Sequence, residues 1–248
     1  MNNVELISFN SADELASRAA IAWLDEIESA NRAGKTHCVA LSGGRITQKF
    51  FATTVGQAKA RKIGDGGTPS LPANVHFFWA DERCVPPDDP ESNFKLANEL
   101  LFAPLKIPAN QIHRIRGEDS PQVAAKSAEE ELRRVLSLKS DNQPVLDLIF
   151  LGMGEDGHVA SLFPDAAPEI VNGTVPYLFI ENSPKPPPKR ITLSYAAITA
   201  ARQVWVLVSG AGKAAALRES LCLEGLTPLA RIMLTRSKTK IFSDIRLD

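Results

Sequence analysis

The chain is 248 residues long, with 44% hydrophobic residues, 23% charged residues and a formal net charge of −1. This ordinary globular composition excludes a mostly disordered chain, a collagen-like repeat and a coiled coil. The near-neutral balance and the 6% aromatic content give no footprint for nucleic acid or a membrane surface, yet leave room for a local basic cluster that binds one phosphorylated molecule.

Taken in chain order, the pattern begins with a helix. Ser11 and Glu14 form a capping box, Leu15, Ala19, Ala22, Trp23 and Ile27 make one apolar stripe, and Gly34 is a stop. A strand is expected over 36–41, then Ser42-Gly43-Gly44, then a helix to about 62. Residues 63–74 read as a surface loop. A second buried strand over 75–80 ends in Asp81-Glu82-Arg83. A Pro/Asp-rich turn (86–90), a helix over 91–102, a short strand over 111–115 and a charged helix over 120–138 follow.

The strand over 146–151 runs into Gly152-Met153-Gly154-Glu155-Asp156-Gly157-His158. The proline-bearing stretch 164–188 is poorly periodic, and Pro186-Pro187-Pro188 reads as an exposed loop. A strand over 190–194, a short helix, a strand over 204–208, the sequence Ser209-Gly210-Ala211-Gly212-Lys213 with a helix, and a last strand over 230–234 complete the chain. Alternating β-branched runs and amphipathic helices predict an α/β fold: a mainly parallel sheet with helices on both faces, a Rossmann-like three-layer architecture. No repeat or long linker divides it, so residues 1–248 are expected to form a single domain.

Cys38, Cys84 and Cys222 form no CxxC pair, and an odd count argues against a disulfide framework. His37, His76, His113 and His158 show no HxH or HxxxH spacing, so no metal and no cofactor are expected. With no basic-then-apolar leader and no long apolar span, a cytoplasmic protein is expected, without a membrane or nucleic-acid partner. A monomer or weak homo-oligomer is the expected assembly.

Four strand ends carry chemistry, because ligands of open α/β sheets bind outside the carboxyl ends of parallel strands. Ser42-Gly43-Gly44 lets backbone approach a ligand and opens a helix N-terminus that favours an anion; its plain alternative is a tight turn. Asp81-Glu82-Arg83 pairs carboxylates with a guanidinium, either as a site or as a structural ion pair. Gly152, Gly154 and Gly157 match the dinucleotide fingerprint G-x-G-x-x-G, with Glu181 near the expected acidic position. Pro164 and Pro168 leave too little room for the long helix that usually follows the third glycine, which counts against that fingerprint; the alternatives are a plain glycine-rich turn and a loop whose His158 can act as a general acid or base. The loop ending in Lys213 is not a Walker A sequence, since Leu207 and Ala214 occupy two of its defining places; its lysine suits a phosphate monoester.

Leu41-Ser-Gly-Gly44, Trp79-Ala-Asp-Glu-Arg83, Ser92-Asn93, the run from Leu151 to Pro164, Arg190-Ile-Thr-Leu193 and Gly210-Ala-Gly-Lys213 resemble the glucosamine-6-phosphate isomerase/6-phosphogluconolactonase family, and its lactonase branch in particular. The agreement spans about 10–240. The isomerases continue the shared Gly-x-Gly-x-Asp-Gly-His core with Asn-Glu-Pro, whereas Leu162-Phe163-Pro164 stands here, with Phe163 in place of their catalytic glutamate. Their Asp-Glu-Tyr is Asp81-Glu82-Arg83. One departure from the lactonases is Arg45-Ile46-Thr47 where Ser-Thr-Pro is usual.

The resemblance implies hydrolysis of 6-phospho-D-glucono-1,5-lactone to 6-phosphogluconate, in the oxidative pentose phosphate pathway; the residues lead us to expect water activated at His158, without a metal. Asp156 or Asp81 would orient His158 or hold sugar hydroxyls, and Arg83 would orient the site or stabilise the oxyanion. Ser42, Gly43, Gly44, Arg45, Arg190 and Lys213 are the expected phosphate ligands. The rival readings are a glucosamine-6-phosphate deaminase, a dinucleotide binder and a non-catalytic sugar-phosphate sensor.

Overall fold

The computed structural model describes residues 4–61, 71–139, 141–236 and 238–247. Strand β1 (Val4–Ser8) precedes α1 (Ala12–Arg32), β2 (His37–Leu41), α2 (Arg45–Ala60), β3 (Val75–Trp79), β4 (Asp81–Arg83), α3 (Asn93–Ala97), α4 (Pro121–Val135) and β5 (Leu148–Gly152). Then come α5 (Pro168–Val171), β6 (Tyr177–Ile180), β7 (Arg190–Leu193), α6 (Tyr195–Ala200), β8 (Gln203–Val208), α7 (Ala214–Leu221), α8 (Pro228–Thr235) and β9 (Thr239–Ser243).

Six strands form one sheet in the order β1-β9-β8-β5-β2-β3, and every pairing in it is parallel. The crossovers move one way across the sheet through α1 and α2, then reverse after β3. Right-handed connections therefore place α1 and α2 on one face and the later helices on the other. The pleat confirms this, because neighbouring side chains on a strand face opposite ways. Phe150 of β5 lies 5.2 Å from Trp23 of α1 and 4.6 Å from Phe50 of α2, ring centre to ring centre. Phe77 of β3 also faces Trp23, at 6.3 Å. Its neighbour Phe78 turns to the other face and stacks on His113 at 4.5 Å, which is bonded to Glu131 of α4 at 2.6 Å.

A second sheet, β4-β7-β6, is antiparallel. Ala80 is the hinge between the two: its N–H donates to Leu41 of β2, and its carbonyl accepts from Leu193 of β7, both at 2.7 Å. The Tyr177 hydroxyl reinforces the corner by donating to the Trp79 carbonyl at 2.5 Å. This places Asp81 at the point where the chain leaves the large sheet.

Several expectations from sequence need correction. The segment 230–234 is helical, within α8, and the last strand is β9. Thr227 caps the Ala230 N–H, Pro228 opens the first turn, and Leu229, Ile232 and Met233 are buried at helical spacing. The short strand over 111–115 is a single bridge from Ile112 to Phe77 beside a 3₁₀ turn. The helix over 91–102 starts at Asn93 and loosens into a π turn from Asn98. The poorly periodic stretch 164–188 contains α5 and β6, whereas the strand expected over 190–194 is present as β7, in the second sheet. β1 has no alternating signal because most of it is exposed. Most of the loop over 63–74 lies outside the described residues. Among the described residues no helix is long and apolar enough to cross a membrane.

Candidate active site

The carboxyl ends of β2, β3, β5 and β8 converge on one cleft of about 120 Å³. Ser42, Gly43, Gly44, Arg45, Asp81, Arg83, His158, Arg190 and Lys213 all line it, together with Asn93, Met153 and Ala160. Nine of the ten residues selected from sequence thus reach a single wall-to-wall site. The tenth, Asp156, stands behind His158 and borders an adjoining hollow.

After β5 the chain makes a tight return. The Gly154 N–H donates to the His158 carbonyl at 2.9 Å, and the Gly157 N–H to the Gly154 carbonyl at 3.1 Å. Gly157 has φ +80°, and a Cβ there would press on Thr227, so the turn needs glycine. The return brings the Asp156 carboxylate to His158, Oδ1 to Nδ1 at 2.5 Å. Burial pushes the Asp156 carboxyl up, but the hydrogen bond and charge of His158 outweigh it and hold the carboxyl below its ordinary range. An ionised carboxylate only accepts, so Nδ1 carries the proton and Nε2 keeps a lone pair. Burial lowers the His158 pKa, Asp156 opposes this, and Lys185 adds to it. This balance favours the neutral imidazole, with its Nε2 lone pair free. The Phe163 ring packs beside it, centre to centre at 4.7 Å.

Asp81 has a different role from Asp156. It is buried, with Oδ2 accepting from Ser161 Oγ at 2.8 Å and Oδ1 accepting from Asn93 Nδ2 at 3.3 Å. Asp156 thus hydrogen-bonds the histidine, whereas Asp81 lines the cleft and is held by Ser161 and Asn93. The adjacent Glu82 is buried away from the chemistry. It accepts the backbone N–H groups of Arg83, Asn93 and Phe94, each at 2.8 Å, and so caps α3. Burial drives its pKa to about 7 against those donors. Arg83 donates from Nη1 to the Glu91 carbonyl at 2.6 Å, and its buried Nε has no partner among the described residues.

The opposite wall is cationic. Gly44, with φ +113°, opens α2, and no side chain caps that helix. Its first-turn N–H groups are suited to an anion. Arg45, exposed, and Lys213 stand beside that turn. The Lys213 pKa is lowered by burial and then by the charge of Arg45. Two like charges lining one cleft favour an anion there. The Ser42 hydroxyl donates to the Phe150 carbonyl at 2.9 Å, so it braces β2 against β5. Arg190 is largely committed: Nε donates to the Pro187 carbonyl at 3.0 Å, and Nη2 to those of Lys185 and Pro186 at 3.0 and 2.9 Å. It presents less of its charge to a phosphate than its sequence position promised.

Sequence reasoning missed Lys185, Ser161 and Asn93 as parts of the site. Asn93 carried a signal within Ser92-Asn93. Lys185 sat in a proline run that reads as plain surface. Among the described residues no group of three or more His, Cys, Asp or Glu could hold a metal ion.

The fold and site define an α/β protein with a carboxylate-bonded histidine across a cleft from a cationic loop cluster at the ends of parallel strands. Residues 10–241 match the family described as "Glucosamine-6-phosphate isomerases/6-phosphogluconolactonase". A 6-phosphogluconolactonase of Mycobacterium tuberculosis is 42% identical over 201 residues, covering 74% of this chain and 81% of its own. One of Haemophilus influenzae is 40% identical over 182 residues, covering 73% and 72%. The solved 6-phosphogluconolactonase of Trypanosoma brucei superposes with a TM-score of 0.82 at 25% identity, covering 98% of this chain and 97% of its own. The chain belongs to the glucosamine-6-phosphate isomerase/6-phosphogluconolactonase family.

Proposed function

We propose that this chain, acting as one unit over 1–248, hydrolyses 6-phospho-D-glucono-1,5-lactone to 6-phosphogluconate, and that His158 is the general base. The observation that carries the reading is the Asp156–His158 pair set across the cleft from Arg45, Lys213 and the start of α2. The names of the relatives support the substrate class, and the arrangement of the cleft is compatible with a task for each part.

In this reading the phosphate sits on the α2 first turn with Lys213 and Arg45, which fixes the sugar's far end. His158 Nε2 takes a proton from water as its oxygen bonds to the lactone carbonyl carbon. The resulting imidazolium gives that proton to the ring oxygen as the C–O bond breaks. The product carboxylic acid then ionises, releasing one proton per turnover. Arg83 faces the developing oxyanion, and Asp81 accepts from sugar hydroxyls. No step calls on a metal.

The deaminase reading has less support. A monomeric glucosamine-6-phosphate deaminase shares the fold with a TM-score of 0.76 at 17% identity, which speaks to the fold alone. Beside His158 the structure has the apolar ring of Phe163 where the isomerases carry a carboxylate. Proton release from freshly prepared lactone, run in parallel with ammonia release from glucosamine 6-phosphate, separates the two. Acceleration of lactone hydrolysis alone is expected. Ammonia release, or no acceleration by folded protein, would overturn the reading.

A further inference from the structure

The 183–188 turn carries Lys185 to the back of the histidine. Its Nζ lies 3.3 Å from Asp156 Oδ2 and 3.4 Å from His158 Nδ1. The turn is held by side chain and backbone together. Arg190, itself buried, binds the carbonyls of Lys185, Pro186 and Pro187; Ser183 Oγ donates to the Lys185 carbonyl at 2.9 Å; and the Ser183 N–H donates to the Pro188 carbonyl at 2.8 Å. A surface lysine on a free loop would not hold such a position. Here the backbone beneath the ammonium is fixed by a neighbouring strand, and the buried guanidinium that fixes it lies over Phe163, the ring packed on His158.

We propose that Lys185 is a positioning residue for the Asp156–His158 pair: its ammonium locks the free oxygen of Asp156 and sets a positive charge behind the imidazole, so that the imidazolium formed during turnover surrenders its proton quickly to the leaving ring oxygen. This rests on the hydrolysis reading above. The chemistry follows from where the charge falls. Asp156 alone would stabilise the imidazolium and trap the proton on His158. Lys185 offsets that attraction from 3.4 Å while leaving the orienting hydrogen bond intact. The pair keeps its geometry and remains a base strong enough to activate water. It does not become a sink for the proton.

The charged groups that bear on His158 are Asp156 on its own loop, Lys185 on the 183–188 turn and Asp81 at the sheet corner. Arg83, Arg190 and Lys213 share the cleft with it. Of these, only Lys185 contacts both members of the pair. Removing its charge therefore moves the histidine upward on two counts, by loss of repulsion and by release of Asp156.

The test is a titration of the His158 Cε1–H resonance by NMR in wild type, Lys185→Met and Lys185→Arg, beside the pH profile of lactone hydrolysis in each. Lys185→Met is expected to raise the midpoint by about one pH unit, the scale of one unit charge at this distance screened nearly as in water. The acid limb of kcat/KM should move with it, and Lys185→Arg should return both to the wild-type position. A midpoint unmoved in folded Lys185→Met would overturn the proposal. So would a rise in KM for the phosphorylated lactone alone, with non-phosphorylated glucono-1,5-lactone unaffected and the titration unmoved, since that would make Lys185 a phosphate ligand. A shifted resonance in a protein whose wild type does not hydrolyse the lactone would retire the hydrolysis reading and leave the charge coupling in place.

Discussion

Gly154→Ala tests whether the tight return after β5 exists to hold the Asp156–His158 pair. Gly154 is not at positive φ, so alanine meets no backbone penalty there. Its Cβ, however, would overlap the His158 ring at Nδ1 and Cε1 and come within 2.5 Å of Asp156 Oδ1. Carbon contacts settle at about 3.5–4.0 Å, so the ring has to retreat by roughly 1 Å or more. The His158 side chain is 17% exposed and lines the cleft, so the ring can yield toward that space, at a stability cost of about 1 kcal/mol, the common size for a point substitution. A displacement of that size at a catalytic group costs on the order of 10²-fold in rate. The expected result is kcat/KM down by about 10²-fold, with a Tm near wild type. Turnover within a few-fold of wild type in Gly154→Ala would refute the placement of the pair. A collapsed Tm would show that the turn's role is structural.

Four further outcomes follow from the same geometry. Asp156→Asn presents an amide in place of the acceptor on Nδ1, disfavours the productive tautomer and should lower kcat by roughly 10²-fold or more with KM little changed, read from steady-state kinetics. Because burial holds the His158 pKa below its ordinary value, wild-type kcat/KM should rise through an acid limb centred below pH ~6.5; a midpoint well above 7 would contradict the assigned environment. Glu82→Gln sets an amide N–H against a backbone N–H whichever way it turns, and should cost about 1–3 kcal/mol in denaturant unfolding. Glu131 is held at about 2, first by its Arg134 hydrogen bond and also by His113, so its stabilisation is complete above pH ~4.5 and lost as pH falls toward 2. The Tm gap between wild type and Glu131→Gln should close over that window.

The parts legible in sequence were those where burial and chemistry leave local marks. β2, β3, β5 and β8 are short apolar runs ending in glycine or acid, and all four lie in the parallel sheet. Ser11 capping Glu14 was equally plain. The last strand is expected over 230–234, where α8 lies, because Leu229, Ile232 and Met233 suit either period over so short a run, and only the Thr227-Pro228 start decides between them. Lys185 was invisible for a different reason. Its position is set by Arg190 through backbone carbonyls, a tertiary arrangement that a proline-rich sequence does not announce. Asp81 and Asp156 looked interchangeable as partners of His158. Ser161, 80 residues from Asp81 in the chain, binds that carboxylate at the sheet corner, while Asp156 is the one bonded to His158.

The central claim is hydrolysis through His158. Proton release from fresh 6-phosphogluconolactone should be compared for wild type and His158→Ala, in chelator, against the spontaneous rate. The account predicts fast release by wild type and a loss of roughly 10²-fold or more in the variant. Wild-type release at the spontaneous rate, or a folded His158→Ala that keeps near-wild-type turnover, would contradict it.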